Sequence, residues 1–186
     1  MKKNALKFLL ILICMLMLYP IQSIAQESMS KKEKKEAEKR ESRQELERLY
    51  KIVESKKFVV EAVQVFGNSG DTYPVQSNTN FFLLDSSTTT IQLSFEGMVG
   101  VNNVGGITID GYLEKFDLQE LKDGKPIILF GSINSRIGGN SQFTMYVYSS
   151  GNARVTVQEN QGRSVTFQGR FLNLAESKIY KGVRTN

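Results

Sequence analysis

Residues 146 to 171 read YVYSSGNARVTVQENQGRSVTFQGRF, three runs of alternating apolar and polar residues interrupted at Ser149-Ser150-Gly151 and at Asn160-Gln161-Gly162. Both interruptions are three residues long, and both end in glycine. A three-residue hairpin loop places its last residue in the left-handed region, which costs other residues a Cβ clash and glycine nothing. Two such loops set the register of three neighbouring strands. Met145 then faces Val155, Phe143 faces Val157 and Val147 faces Ala153, while Val157 faces Val165 and Val155 faces Phe167. Every one of these apolar side chains lands on one face.

A two-residue turn at Gly151-Asn152 would instead set Tyr148 beside Val155 and Thr156 against Val147, mixing apolar and polar residues on both faces. A one-residue slip exchanges the faces of a strand, so the cleaner segregation selects the three-residue loop. The same register predicts rows on the opposite face: Thr144, Thr156 and Thr166; Tyr146, Arg154 and Gln168; Tyr148, Asn152 and Arg170. Burying Val155, Val157, Val165, Phe167, Phe143 and Met145 at roughly 1.5 to 3 kcal/mol each contributes on the order of 10 kcal/mol before entropy is subtracted. That is comparable to the net stability of a whole domain, and makes this meander the expected stability centre.

Further runs rich in Val, Ile, Thr, Phe and Tyr, broken by Gly, Asn, Ser and Asp, extend the pattern back to Phe58. Strands are expected at 58–66, 81–84, 89–95, 107–113, 126–133, 142–148, 152–159 and 163–172. The segment Tyr112 to Leu121 permits a short helix through Leu113, Phe116, Glu120 and Leu121. Asp123-Gly124 before KPIILF suits a hairpin and tips the reading towards strand. The spacing points to a mainly β domain, an antiparallel β-sandwich or flattened barrel with an N-terminal α-helix, rather than alternating β and α units.

Ahead of the strands lies SKKEKKEAEKRESRQELERLYKIVESKK, free of Gly and Pro and rich in helix formers. Pairs such as Glu36 with Arg40 and Glu47 with Lys51 add a few tenths of a kcal/mol each. Only Leu46, Leu49, Tyr50 and Val53 give it an apolar face, so a docked helix is expected from about Ser42 to Lys56 with a solvated extension before it. At the start, a basic stretch, the apolar run FLLILICMLMLY and the small-residue site PIQSIA follow the order of an export signal, with cleavage expected after Ala25. The apolar run is too short to span a bilayer. The expected organisation is a signal over 1–25, a charged linker and helix over 26–57 and a β domain over 58–186, located in the periplasm or secreted. Cys14, the only cysteine, lies inside the apolar run, so the mature chain is expected to have no disulfide and to hold together by burial alone.

Net charge, +5 overall, divides unevenly: +3 from Lys2, Lys3 and Lys7, −1 from Glu27, +4 from residues 30–57 and −1 from residues 58–186. The nearly neutral β domain argues against nucleic acid as a partner. With no histidine, no tryptophan and no mature cysteine, Ser-His-Asp and Cys-His nucleophile systems and His-based zinc sites are excluded. The remaining enzymatic routes are a carboxylate pair, a Ser-Lys arrangement or an all-oxygen metal site. Asp110, Glu114, Asp117, Glu120 and Asp123 cluster in sequence, and a strand would place Asp110 and Glu114 on one face; a solvated acidic edge is the favoured reading of this cluster. GMVGVNNVGG lacks the spacing and the Lys-Ser/Thr ending of a phosphate loop and reads as a connection between strands, as does SRIGGNSQ. No cofactor and no metal is expected.

The remaining candidate surface is Tyr146, Arg154 and Gln168 with Tyr148 and Arg170 beside them, where a tyrosine next to an arginine allows a cation–π contact of about 0.5 to 1 kcal/mol when exposed. An ordinary exposed sheet face explains these residues equally well; as a site, they would serve an unknown protein, an envelope component or a small ligand.

The charged helix, FVVEAVQVF, and the closing pattern of Gly151, Ala153, Val155, Val157, Arg163, Val165, Phe167 and Gly169 together resemble an uncharacterised family of exported Bacteroidetes proteins, a numbered domain of unknown function. The resemblance covers about Ser30 to Phe171. Where members of that family carry an LPYFGRAY-like stretch before a glycine-rich loop, this chain has LSFEGMVGVNNVGG, residues 93 to 106, with the glycines kept and most of the aromatic part lost. The resemblance implies export and a predominantly β domain, and supplies no catalytic residues. The resulting expectation is an exported, non-enzymatic binding or interaction module of the cell envelope. A carboxylate-dependent hydrolase and a structural envelope protein acting through its N-terminal helix are the alternatives.

Overall fold

The computed structural model describes residues 30–67, 70–94, 107–135, 139–160, 162 and 164–179. The expected signal and cleavage site, Cys14, the glycine run of 97–106 and residues 136–138 lie outside the described residues. Contacts separate Met1–Lys35 from Glu36–Asn186. In the first unit, the described part is the opening of helix α1, which runs from Lys31 to Glu54.

That helix begins eleven residues earlier than the apolar spacing suggests, and the reason is local. The Ser30 backbone N–H donates to Glu33 Oε2 at 2.7 Å, and the Glu33 N–H donates to Ser30 Oγ at 3.3 Å. This reciprocal capping box satisfies donors that otherwise fray a helix start, so no buried face is needed there. Farther along, Arg43 pairs with Glu47 at 3.1 Å and Arg48 with Glu45 at 2.7 Å. Leu46, Leu49, Ile52 and Val53 are buried.

From Glu36 onward, nine strands make a single antiparallel sheet: β1 (Lys57–Phe66), β2 (Thr72–Pro74), β3 (Phe81–Asp85), β4 (Thr88–Leu93), β5 (Ile107–Leu118), β6 (Ile127–Ser135), β7 (Gly139–Val147), β8 (Asn152–Glu159) and β9 (Ser164–Asn173). β3 to β9 pair in chain order, and β9 returns to pair with β1, from Phe58 opposite Asn173 to Phe66 opposite Thr166. The short β2, which the alternation does not reveal, pairs only with the end of β1. Leaving it aside, eight strands form a closed barrel in which each strand has a paired neighbour on both sides. Of the two expected architectures, the barrel is the one formed. The ambiguous segment 112–121 is strand as far as Leu118.

Two bulges bend the wall, one between Ala62 and Gln64 in β1 and one between Leu113 and Lys115 in β5. An extra residue in one strand increases the local twist and lets a sheet curl. Gly169 sits opposite the first bulge, where a Cβ would stand 2.7 Å from the Ala62 Cα and still closer to the Glu61 backbone. Only a residue without a side chain lets β1 and β9 approach there.

Inward residues from the barrel strands fill the interior, whereas β2 is exposed along its whole length. Phe58, Phe82, Ile91, Leu129, Met145, Val155 and Phe167 all have no accessible surface. The Phe82 ring meets that of Phe58 at 6.1 Å and that of Phe143 at 4.9 Å between centroids. Leu46, Leu49, Ile52 and Val53 of α1 belong to the same apolar cluster. A helix reaches the inside of a closed wall only through an open end, so α1 stoppers the end where β1 begins and β9 finishes. Outside the wall, Val59, Phe81 and Leu83 form a second buried cluster, covered by Leu174 and Ile179 beyond β9.

Candidate functional site

Gly151 and Gly162 have φ of +75° and +78°, and each donates its N–H back across its loop, to Tyr148 O and Glu159 O respectively. The register that follows matches the expected one throughout. Met145 pairs with Val155, Val155 with Phe167, and Val157 with both Phe143 and Val165. The outer rows Thr144–Thr156–Thr166 and Tyr146–Arg154–Gln168 form as read, and Asn152 pairs with Arg170. The Thr156 and Thr166 hydroxyls lie 2.9 Å apart.

Pairing of β9 with β1 then places new partners beside the anticipated patch. Arg154 lies over the Phe66 ring, 4.4 Å from its centroid, so the aromatic face it covers comes from β1 rather than from Tyr146. Gln168 Nε2 donates to Gln64 Oε1 at 2.7 Å. Arg170 Nη2 donates to Glu61 Oε2 at 2.6 Å, and Ser177 Oγ donates to the other oxygen of the same carboxylate at 2.9 Å. The Glu61 side chain is 6 % exposed and that of Arg170 61 %, so this contact pairs a buried charge with a solvated one. Tyr148, 40 % exposed, retains an open ring. Arg154, Gln168 and Arg170 are therefore engaged in holding β1 to β8 and β9, and Tyr146 and Tyr148 flank them.

The acidic cluster divides among three neighbourhoods. Asp110 accepts from Thr90 Oγ1 at 2.7 Å, Glu114 accepts from Asn134 Nδ2 at 2.9 Å, and Asp123 lies 3.5 Å from Arg43 of α1. The β5 bulge is responsible for part of this. Before it, Asp110, Tyr112 and Glu114 face outward by strict alternation; after it the parity changes, and Lys115 and Asp117 face outward instead.

That change builds a groove of about 610 Å³ on the outer wall of β5 to β8, towards the end of the barrel away from α1. Its floor is two cross-strand rows. Lys115, Ser132, Gln142 and Gln158 form one, and Asp117 with Phe130 begins the other. Glu114, Glu159, Asn140 and Asn160 complete the rim. Phe130 is 36 % exposed. The Ser132 hydroxyl is shut off from water without a hydrogen-bond partner. Such a group costs about 1 to 3 kcal/mol. No set of three or more His, Cys, Asp or Glu among the described residues is arranged to hold a metal ion.

Sequence reasoning placed Glu114 and Asp117 only in an acidic cluster and did not assemble this groove. One signal was available: the same register that aligned the threonines puts Gln142 opposite Gln158 on the polar face. The β5 partners were not legible, because a bulge leaves no mark in the apolar alternation.

The fold and groove define a class: a closed, eight-stranded antiparallel barrel stoppered by an N-terminal helix, with its accessible polar site on the outer wall. A family profile described as a domain of unknown function, DUF4251, matches residues 40–171, and the chain belongs to this family. It is similar to the crystal structure of a DUF4251 family protein from Bacteroides eggerthii DSM 20697, with 31 % sequence identity and a TM-score of 0.64, covering 78 % of this chain and 99 % of that one. No curated protein matches the sequence. No helix among the described residues is long and apolar enough to cross a membrane.

Proposed function

We propose that the protein is an exported, non-enzymatic binding module of the cell envelope, and that its ligand seats in the groove between β5 and β8. The observation that carries this reading is the contrast between inside and outside. Among the described residues, aromatic and aliphatic side chains pack the barrel interior, in contrast to the larger or emptier barrels that hold a ligand inside. The outer groove is concave, of a size suited to a small ligand, and presents convergent polar groups beside an exposed ring. The Tyr146–Arg170 patch supports the reading less, since three of its five members already have partners within the chain. Glu114 and Asp117 in the same groove favour a carboxylate-dependent hydrolase as the second reading.

Amide chemical-shift mapping with a mixed panel of sugars, amines and organic acids tests the site. Shifts confined to residues 114–117, 130–132, 140–142 and 158–160 are expected. Shifts centred on Tyr148 and Arg170 would move the site to the other patch, and ligand turnover during the titration would favour the hydrolase. Fractionation of cells producing the full chain tests export, with cytosolic retention as the contrary result.

A further inference from the structure

We infer that the occupant of the β5–β8 groove is a neutral saccharide; this rests on the reading of that groove as the ligand site. Charge narrows the class first. Among the described lining residues, the carboxylates of Glu114 and Asp117 flank the ammonium of Lys115, so phosphates, uronic acids and other anions meet like charges there. Lys115 and Asp117 lie two residues apart on the same face, so a purely cationic ligand meets a like charge within the same short stretch. A ligand without formal charge avoids both penalties.

Hydrogen-bonding chemistry narrows it further. Asn140, Gln142, Gln158 and Asn160 are primary amides, each with two donors and a carbonyl acceptor. Sugar hydroxyls both donate and accept, so an amide satisfies neighbouring hydroxyls in either sense. Gln142 and Gln158 are directly opposed across β7 and β8, which brings their side chains within reach of adjacent hydroxyls on one ring. Phe130, in the next row, offers an exposed aromatic face to the apolar C–H side of the same ring. Ser132 stands between Lys115 and Gln142, and a sugar that draws these long side chains onto its own hydroxyls exposes the Ser132 Oγ and supplies the partner it lacks.

The test is a titration of the full-length mature protein by calorimetry and amide chemical shift with three probes: neutral gluco-, manno-, galacto- and xylo-oligosaccharides, oligogalacturonate, and spermidine. The expected result is groove-localised binding of at least one neutral oligosaccharide, with oligogalacturonate at least tenfold weaker at low salt. Gln142→Ala and Phe130→Ala should each weaken binding about three- to tenfold, the range of one lost hydrogen bond or ring contact. Tyr148→Ala should leave it unchanged. Spermidine or oligogalacturonate shifting the groove while neutral sugars do not would overturn the saccharide assignment and leave the groove as a site. Neutral sugars shifting residues elsewhere, or no probe shifting the groove, would overturn the site as well.

Discussion

Gly131 and Phe143 occupy opposed positions on β6 and β7, and the space a side chain would need at one is filled by the ring of the other. A Cβ built on Gly131 runs into Phe143 Cζ and Cε1 and stands 2.9 Å from the Lys115 carbonyl oxygen on the bulged strand. The ring cannot simply swing away, because it is 2 % exposed and packs against Phe82 at 4.9 Å. Gly131→Ala is thus an overpacking substitution, expected to cost about 1 to 3 kcal/mol. Phe143→Ala removes the ring and leaves a cavity, at about 3 to 5 kcal/mol. In the double variant the new methyl enters that cavity, and only the clash with the Lys115 oxygen persists. Its destabilisation should therefore fall short of the sum of the singles by about 1 to 2 kcal/mol, a coupling expected only of residues in contact. Guanidinium unfolding followed by far-UV circular dichroism measures it, with Phe143→Leu as the milder partner if the alanine variant does not fold. Additivity within about 0.5 kcal/mol would refute both the register at this point and the placement of the β5 bulge beside it.

Phe167 is fully buried between Val155 and Val65, and Phe167→Ala should cost about 3 to 5 kcal/mol; a melting curve within a degree of the parent would contradict the packing of the meander. The Glu33 carboxyl is held below its ordinary value of 4.5, chiefly by the Ser30 backbone N–H and then by the Ser30 hydroxyl. A lowered folded-state value means that the cap stabilises the helix start above the ordinary glutamate range and is lost as pH falls through the lowered one. Amide exchange at Ser30, Glu33 and Lys34, the N–H groups the cap engages, should accordingly lose its protection, relative to the intrinsic rate, towards acid, and Glu33→Gln should abolish that dependence; equal behaviour of the two proteins would count against the capping box.

How far the fold was legible depended on whether the determining interaction was local. Hairpin loops bring together residues a dozen positions apart, so two glycines and an alternating pattern suffice to order β7, β8 and β9 and to place Thr144, Thr156 and Thr166 in one row. The Ser30–Glu33 cap is equally local and stood in the sequence as S-x-x-E; weighing only the buried face of the helix set its start too late.

What the order of residues could not disclose is where β1 ends up. Joining Phe58–Phe66 to β9 spans about a hundred residues and is decided by closure of the wall, which happens because each strand must bury one face and pair both edges. That closure gives Arg154 its Phe66 ring, Gln168 its Gln64 and Arg170 its Glu61. The outer groove has the same origin: a one-residue bulge in β5 reverses which side chains face out, and only pairing with β6 reveals it. Local chain geometry thus determined the three-stranded meander and the docked half of the helix. The barrel, its helical stopper and its groove arise from contacts between segments far apart in the chain, which single-strand periodicity does not encode.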